Sequence, residues 1–369
     1  MKVLFLNWRD IKNPQAGGAE VVTHELAKAL VERGDQVDFF AASFPGALDH
    51  ERIDGISVFR GGGRYLVPWH AYRFYQRSKP YDLVIDECNT NQFFTFLYIP
   101  RKKRLFFIHQ LTRLIWFYQL VFPLSLIGYL LEPILIFSHR KSLAVTVSKS
   151  TMSGLIKFGM KKENIHIIPE GLDSKPLEYL PPLSQKKGTL SLVYVGRLVK
   201  YKRVHEAIRA VEVLKKKYPQ IKLDIIGNGQ AGYVDYLKNL VSEFHLEKNV
   251  NFLGRLSRER RNTLMSQAWC ILVTSVLEGW GLIVTEANAV GTPACVYDVG
   301  GLRDSVKHNQ TGLVVPDQRP ELLASAVWSL WRNPGKYQQL RQSAWQWSKV
   351  MTFAKMRQAF LHIIDKNYK

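Results

Sequence analysis

Two doubly wound α/β domains are predicted by three observations. Short apolar runs alternate with helix-length patterned segments from end to end, a stretch with two prolines and charge interrupts that rhythm, and the alternation then starts afresh. With 369 residues the chain exceeds what one small core organises and suits about two domains. Sheets of this kind are expected to turn their strand carboxyl ends to a common cleft, the natural ligand position of open α/β folds.

The apolar run Lys2 to Asn7 reads as a first buried strand and is too short for a secretory leader. Further strands are expected at Val37–Ala41, Leu83–Asp86, Leu105–His109, Ala144–Val147 and Ile165–Ile168, separated by helices such as Glu20–Arg33. Pro181 to Thr189 breaks every periodicity and reads as a linker (181–189) that closes an N-terminal domain of residues 1–180. Across residues 190–336 strands are expected at Leu190–Tyr194, Lys222–Ile226, Val250–Leu253, Cys270–Thr274, Pro293–Val296 and Gly312–Val315. The tail, 337–369, is helical in pattern, carries Trp345, Trp347 and Phe353, and is expected to pack back on the N-terminal domain.

Formal net charge is +20, from 51 Lys plus Arg against 31 Asp plus Glu, which draws a protein towards nucleic acid, anionic lipid or phosphorylated substrates. No zinc-finger spacing, RNP motif or basic zipper accompanies the basic clusters, so nucleic acid is the weaker partner. Cys88, Cys270 and Cys295 lie far apart without a Cys-x-x-Cys pair, which indicates neither disulfides nor zinc and fits a reducing, cytoplasmic setting.

Glu278-Gly-Trp-Gly-Leu-Ile-Val-Thr-Glu286 places two acids around a glycine-spaced turn that opens a helix ending at Gly291-Thr292-Pro293. Gly279 and Gly281 permit close backbone approach, and a helix start offers unpaired N–H groups to an anionic or hydroxyl-rich ligand. Alone, the pair reads better as a solvated helix start with two surface acids. The strand Leu190–Tyr194 runs into Gly196-Arg197-Leu-Val-Lys-Tyr-Lys202-Arg203. Arg197 offers a planar fork and Lys202 a compact charge, which suit a diphosphate gaining charge as a bond to it breaks. Gln15-Ala16-Gly17-Gly18-Ala19-Glu20 follows the first strand and leads into a helix, allowing close approach to a phosphate or sugar. Glu87 and Asn89 follow the strand Leu83–Asp86, where a turn or a cleft mouth explains them equally.

Gly227-Asn-Gly229-Gln-Ala-Gly232 has dinucleotide-binding spacing between a strand and a helix, so an NAD-dependent dehydrogenase is a competing reading. The next strand, Val250–Leu253, runs into Gly254-Arg255 with no acid for an adenosine ribose, which argues against it.

Gly17-Gly18, His109, Gly196-Arg197, Lys202, Glu278 to Leu282, Glu286 and Gly291-Thr292-Pro293 together resemble the family 4 glycosyltransferases of the GT-B fold. Ile168 to Asp173 and Gly300-Gly301-Leu302 match as well. The resemblance covers nearly the whole chain and implies two Rossmann-like domains facing a central cleft. It implies retaining transfer of a hexose from a UDP- or GDP-linked donor to a saccharide or lipid-linked acceptor. Residue by residue, it assigns Arg197 and Lys202 to the diphosphate, Glu286 to ribose hydroxyls and Glu278 to the transferred sugar. Gly279, Trp280, Gly281 and Leu282 would bind the donor through their backbone. Gly196, Gly227 and Gly229 would line its pocket, Gly17 and Gly18 would close on the phosphates, and His109 would contact the sugar near the reacting carbon. Gln110 stands where many relatives carry an acid, which weakens any acid–base role there. Without Asp-x-Asp in the sequence, neither a metal nor a cofactor is expected. From a different class, a catalytically silent basic protein that binds a nucleotide-sugar or lipid is the alternative.

Leu114 to Leu131 is almost free of charge and long enough to nominate a membrane span. Pro123, Gln119 and Ser125 interrupt it, and two short helices within the first domain are expected instead. Arg113, Trp116, Phe117, Tyr118 and Phe122 suit either an acceptor or membrane face or an internal hairpin.

Overall fold

The computed structural model describes residues 1–78, 80–88, 92–172, 176–186 and 188–368. Two compact units emerge: Met1–Trp116, Phe122–Gly171 and Phe353–Lys369 form the first, and Phe117–Val121 with Leu172–Thr352 the second.

The first unit carries β1 (Lys2–Leu6), β2 (Gln36–Ala41), β3 (His50–Ile53), β4 (Ile56–Arg60), β5 (Leu83–Cys88), β6 (Arg104–Ile108), β7 (Leu143–Thr146) and β8 (Ile165–Ile167). They lie in the order β3-β4-β2-β1-β5-β6-β7-β8, parallel except for the antiparallel β3·β4 pair. That hairpin is absent from the sequence reading. Asp54 and Gly55, both at positive φ, make its two-residue turn, the Asp-Gly signal of a tight hairpin. Helix α1 (Gly18–Glu32) starts with Gly17 N–H donating to Glu20 Oε2 at 2.7 Å, the half of a capping box that a glycine N-cap can make. Helices α2 (Val67–Ser78), α4 (Leu124–Ser138) and α5 (Lys149–Lys157) follow, whereas α3 (Trp116–Gln119) has only Trp116 in this unit and runs on into the second. Apolar strand residues such as Leu4, Leu6 and Val84 pack with Val67 and Ala71 of α2, while Phe106 and Ala144 pack with Ile136 and Leu155 of α4 and α5.

The second unit is a wholly parallel six-stranded sheet of β9 (Ser191–Val195), β10 (Lys222–Ile226), β11 (Val250–Gly254), β12 (Cys270–Val273), β13 (Ala294–Tyr297) and β14 (Gly312–Val315), in the order β11-β10-β9-β12-β13-β14. Apart from the edge strand β11, its strands are mostly buried and rich in Val, Ile and Leu, as a sheet covered on both faces requires. The helices are α6 (Val204–Lys215), α7 (Ala231–Glu243), α8 (Arg258–Gln267), α9 (Leu282–Ala289), α10 (Gly300–Ser305), α11 (Pro320–Trp331) and α12 (Pro334–Ser348).

Two boundaries differ from the sequence reading. Pro181–Thr189 belongs to the second unit and is no linker, and the chain passes between units at Gly171–Leu172. The cause is Lys186, whose buried ammonium donates to Ala268 O at 2.7 Å, Gly291 O at 3.1 Å and Thr292 Oγ1 at 2.8 Å. Lys187 and Asp173 lie outside the described residues. The tail divides: α12 belongs to the second unit and α13 (Phe353–Tyr368) to the first. There Arg357 reaches Glu32 at 2.8 Å and Arg33 reaches Asp365 at 2.6 Å, joining α13 to α1.

Candidate functional site

Strand order locates a site in each unit. From β9 the chain moves outward through β10 and β11, then returns to the other side of β9 as β12. The loops leaving β9 and β12 therefore part at a topological switch point, where open α/β sheets bind ligands. The first unit has its switch between β1 and β5.

At the second unit's switch, Lys202 and Glu278 meet. Thr274 Oγ1 donates towards Lys202 O (3.0 Å) and Arg203 O (2.9 Å), and Val276 N–H donates to Tyr201 O at 2.9 Å. These bonds fasten the loop after β9 to the loop after β12, and the Lys202 ammonium donates to Glu278 Oε1. Ser275 donates to the same oxygen at 2.7 Å. Burial pulls the Lys202 pKa down, but the Glu278 charge outweighs it and holds the ammonium above the ordinary lysine range. Arg197 is exposed beside this pair, its guanidinium donating to Tyr201 Oη at 2.7 Å. Thr274, Ser275 and Tyr201 escape the sequence reading because their role is to position Lys202 and Glu278 across strand order.

Glycines shape the same region. Gly281, at φ +87°, caps α9 in the left-handed region. Gly301 N–H donates to Glu278 O at 2.9 Å, and a Cβ on Gly301 would stand 2.1 Å from Gly279 O, so α10 presses directly on the Glu278–Gly281 turn. Trp280 is buried, and its indole N–H finds no acceptor among the described residues. Leu282 begins α9; Val284 N–H already donates to Gly281 O at 2.8 Å, and the N–H groups ahead of it are the donors a helix start offers a ligand. Glu286, one turn on, pairs with Arg261 of α8 at 3.1 Å. Burial pushes its carboxyl pKa up, with Arg261 and Arg258 opposing. In the sequence, Arg258 to Arg261 stands out only as one of the basic clusters. Periodicity alone does not reveal that α8 lies against α9.

Gly227 and Gly229 are committed to loop packing. A Cβ on Gly227 would lie 1.9 Å from Gly196 O, and one on Gly229 would lie 2.0 Å from Leu198 O. Leu198 N–H donates to Asn228 O at 2.9 Å. This close approach accounts for the Gly-x-Gly spacing without a dinucleotide. Gly227→Ala is expected to destabilise the second unit by about 2 kcal/mol or more, the scale of overpacking against backbone. Urea unfolding checks it, and a loss below about 0.5 kcal/mol would contradict the packing argument.

The first unit's switch holds a buried polar network. Asn7, just past β1, donates to Glu87 Oε2 at 2.9 Å, and Thr23 of α1 donates to Glu87 Oε1. His109, after β6, has Nε2 at 2.8 Å from Glu87 Oε1 and Nδ1 at 2.7 Å from Glu170 Oε1. Burial alone would lower the imidazole pKa, yet the two carboxylates raise it to about 10. His109 is thus an imidazolium donating from both nitrogens. Contact with a sugar through either nitrogen requires one carboxylate to let go. Gly17 is similarly engaged, its N–H held by Glu20, whose carboxylate also takes Arg9 Nε at 2.8 Å; Gly18 opens α1. Asn7 and Thr23 carry no local signal in the sequence, Glu170 lies in the family-like run Ile168 to Asp173 with nothing there to name His109 as its partner, and Asn89 lies outside the described residues.

Arg113 stacks on Tyr129, its Cζ 3.9 Å from the ring centroid. Trp116 Nε1 donates to Glu132 at 3.3 Å. Phe117, Tyr118 and Phe122 are exposed. Among the described residues no helix is long and apolar enough to cross a membrane.

Comparison with known proteins agrees with this geometry. Residues 16–175 match the model for Glycosyltransferase Family 4, and residues 178–347 match that for Glycosyl transferases group 1. An uncharacterized glycosyltransferase of Methanocaldococcus jannaschii is 23% identical over 89% of this chain and 88% of its own. Sucrose-phosphate synthase from Thermosynechococcus elongatus superposes with a TM-score of 0.79 at 20% identity, over 99% of this chain and 98% of its own. Anabaena HepE, solved in complex with UDP and glucose, gives 0.76 at 21% identity over 99% and 100%. With two parallel-sheet units, both matched in order by glycosyltransferase models, the chain belongs to the family 4 glycosyltransferases of the GT-B fold.

Proposed function

We propose that the chain is a retaining hexosyltransferase that takes a UDP- or GDP-linked donor in its second unit and works without a metal ion. The observation that carries this reading is the Lys202–Glu278 pair, fixed at the switch point beside Arg197 and the start of α9. Arg197, Lys202 and the first N–H groups of α9 supply preorganised positive potential for a leaving diphosphate. Glu286 suits ribose hydroxyls, and the Glu278–Leu282 turn suits the hexose.

In the reaction, the bond from the anomeric carbon to the diphosphate oxygen breaks and its electron pair stays with phosphate. The acceptor hydroxyl attacks from the same face, and its proton passes to a phosphate oxygen. Glu278 already accepts from Lys202 and Ser275, which lowers its nucleophilicity and favours charge stabilisation over a covalent intermediate. The acceptor is a saccharide or lipid-linked sugar. His109 serves as a fixed cation, and Glu87 and Glu170 hold it in place.

Incubation with a panel of UDP- and GDP-linked hexoses in EDTA tests this reading. Release of nucleoside diphosphate is expected, with the early product retaining the donor's anomeric configuration by proton NMR. An inverted anomer, or release that requires a divalent cation, would sink it.

A further inference from the structure

The surface of α4 reverses the usual amphipathic pattern. Its buried residues are Ser125, Glu132 and Ile136, and its outward ones include Ile127, Leu130, Leu131, Ile134 and Phe137. Glu132 turns inward because it accepts the N–H groups of Thr112 at 2.5 Å and Arg113 at 2.7 Å. That leaves an apolar face in water, with Leu130 58% and Ile134 60% exposed, and Phe122 just before the helix 76% exposed. Water-facing helices of globular proteins carry their charge on this side, and a contiguous apolar patch marks an interaction surface.

Positive charge gathers at one end of it. Adjacent parallel strands β6, β7 and β8 start at the same sheet edge, since Leu105 pairs with Leu143 and Ala144 with Ile165. The residues preceding them, Arg101, Lys102, Arg140, Lys141, Lys161 and Lys162, collect where α4 ends at Ser138. Arg140 joins the two features, with its Cζ 4.2 Å from the Phe137 ring centroid and its carbonyl 3.4 Å from Asn164 Nδ2.

We propose that this face docks on the surface of an anionic lipid bilayer, with α4 lying in the plane of the interface and the basic rim on phospholipid headgroups. Charge complementarity selects this occupant: the rim is cationic and the chain carries a net +20, while the apolar face needs acyl chains. A second copy is disfavoured, because a two-fold interface on this patch would bring two such cationic rims into one assembly. The inference stands apart from the donor chemistry, since its test measures no activity.

The test is co-sedimentation of the full chain with vesicles of phosphatidylcholine alone or mixed with phosphatidylglycerol. Binding is expected only to the mixed vesicles and is expected to weaken as salt rises. Ile127→Ser with Ile134→Ser, and separately Lys141→Glu with Lys162→Glu, should each weaken it about tenfold or more. Circular dichroism should show both variants folded, since the replaced side chains face outward. Equal binding by wild type and both variants would overturn the proposal, as would indifference to both vesicle types. In the latter case light scattering distinguishes a monomer from a dimer that the Ser variant dissociates, which would assign the face to a second copy.

Discussion

Lys202→Ala is expected to lower turnover by about a hundred- to a thousandfold, the usual consequence of removing one preorganised donor to a developing negative charge. The lysine is held in three ways: by its ion pair with Glu278, by Thr274 bonding the backbone at Lys202 and Arg203, and by the Tyr201–Val276 backbone bond. Such a group needs no reorganisation when the diphosphate leaves. Because that charge grows along the reaction, the loss belongs to turnover, while affinity for the nucleoside diphosphate should change by less than about tenfold. Lys200→Ala, an exposed cation on the same short segment, is the control and should leave turnover near wild type. Steady-state kinetics with calorimetric binding separates the two quantities. Equal losses from Lys200→Ala and Lys202→Ala would reduce the effect to general positive potential.

His109→Leu is expected to cost the first unit about 3–5 kcal/mol, the scale of removing one partner from a buried ion pair. The variant leaves Glu87 and Glu170 without the imidazolium that bridges them, in a site where all three side chains are buried. His109→Gln should cost less, because an amide keeps donors for the carboxylates. The pH dependence has a definite sign. The folded pKa, raised to about 10, stands above the unfolded value near 6.5. This contribution is therefore complete below about pH 6.5 and declines as pH rises through about 10. Wild-type stability should fall over that window, and His109→Gln should lack that decline. Urea unfolding across the window reads both; parallel wild-type and variant curves would show that the imidazolium contributes nothing.

Legibility in the sequence follows the range of the interactions involved. The strands of the second unit are visible as apolar runs because all but the edge strand β11 are largely buried, so one-dimensional hydrophobicity suffices. The β3–β4 hairpin lies at the edge of its sheet with β3 exposed at alternate positions, and only its Asp54-Gly55 turn announces it. Lys186 misleads: a lysine beside prolines reads as solvated spacer, yet three oxygens in the second unit bury it. At the site, Arg197, Lys202, Glu278 and Glu286 are found by motif. Their contacts are not, since Thr274 and Lys202 meet through the adjacency of β9 and β12; likewise His109 and Glu170 each stand in a matching run, but their pairing spans 61 residues. The run Leu114–Leu131 is expected as two helices within the first domain, but Phe117–Val121 belongs to the second unit, and the second helix continues to Ser138, past Pro133, and turns its apolar side outward. Only the inward pull on Glu132 explains that orientation.

The central claim is that cationic groups and helix-start amides of the second unit hold a diphosphate by themselves. Calorimetric titration of the full chain in EDTA with UDP, GDP, uridine and guanosine tests it most directly. At least one nucleoside diphosphate should bind, far more tightly than its nucleoside, and adding magnesium should leave the affinity unchanged. At a hundred times its Kd it should stabilise the chain by roughly 2.7 kcal/mol. Diphosphates that bind no better than their nucleosides, or only once magnesium is supplied, would contradict the account.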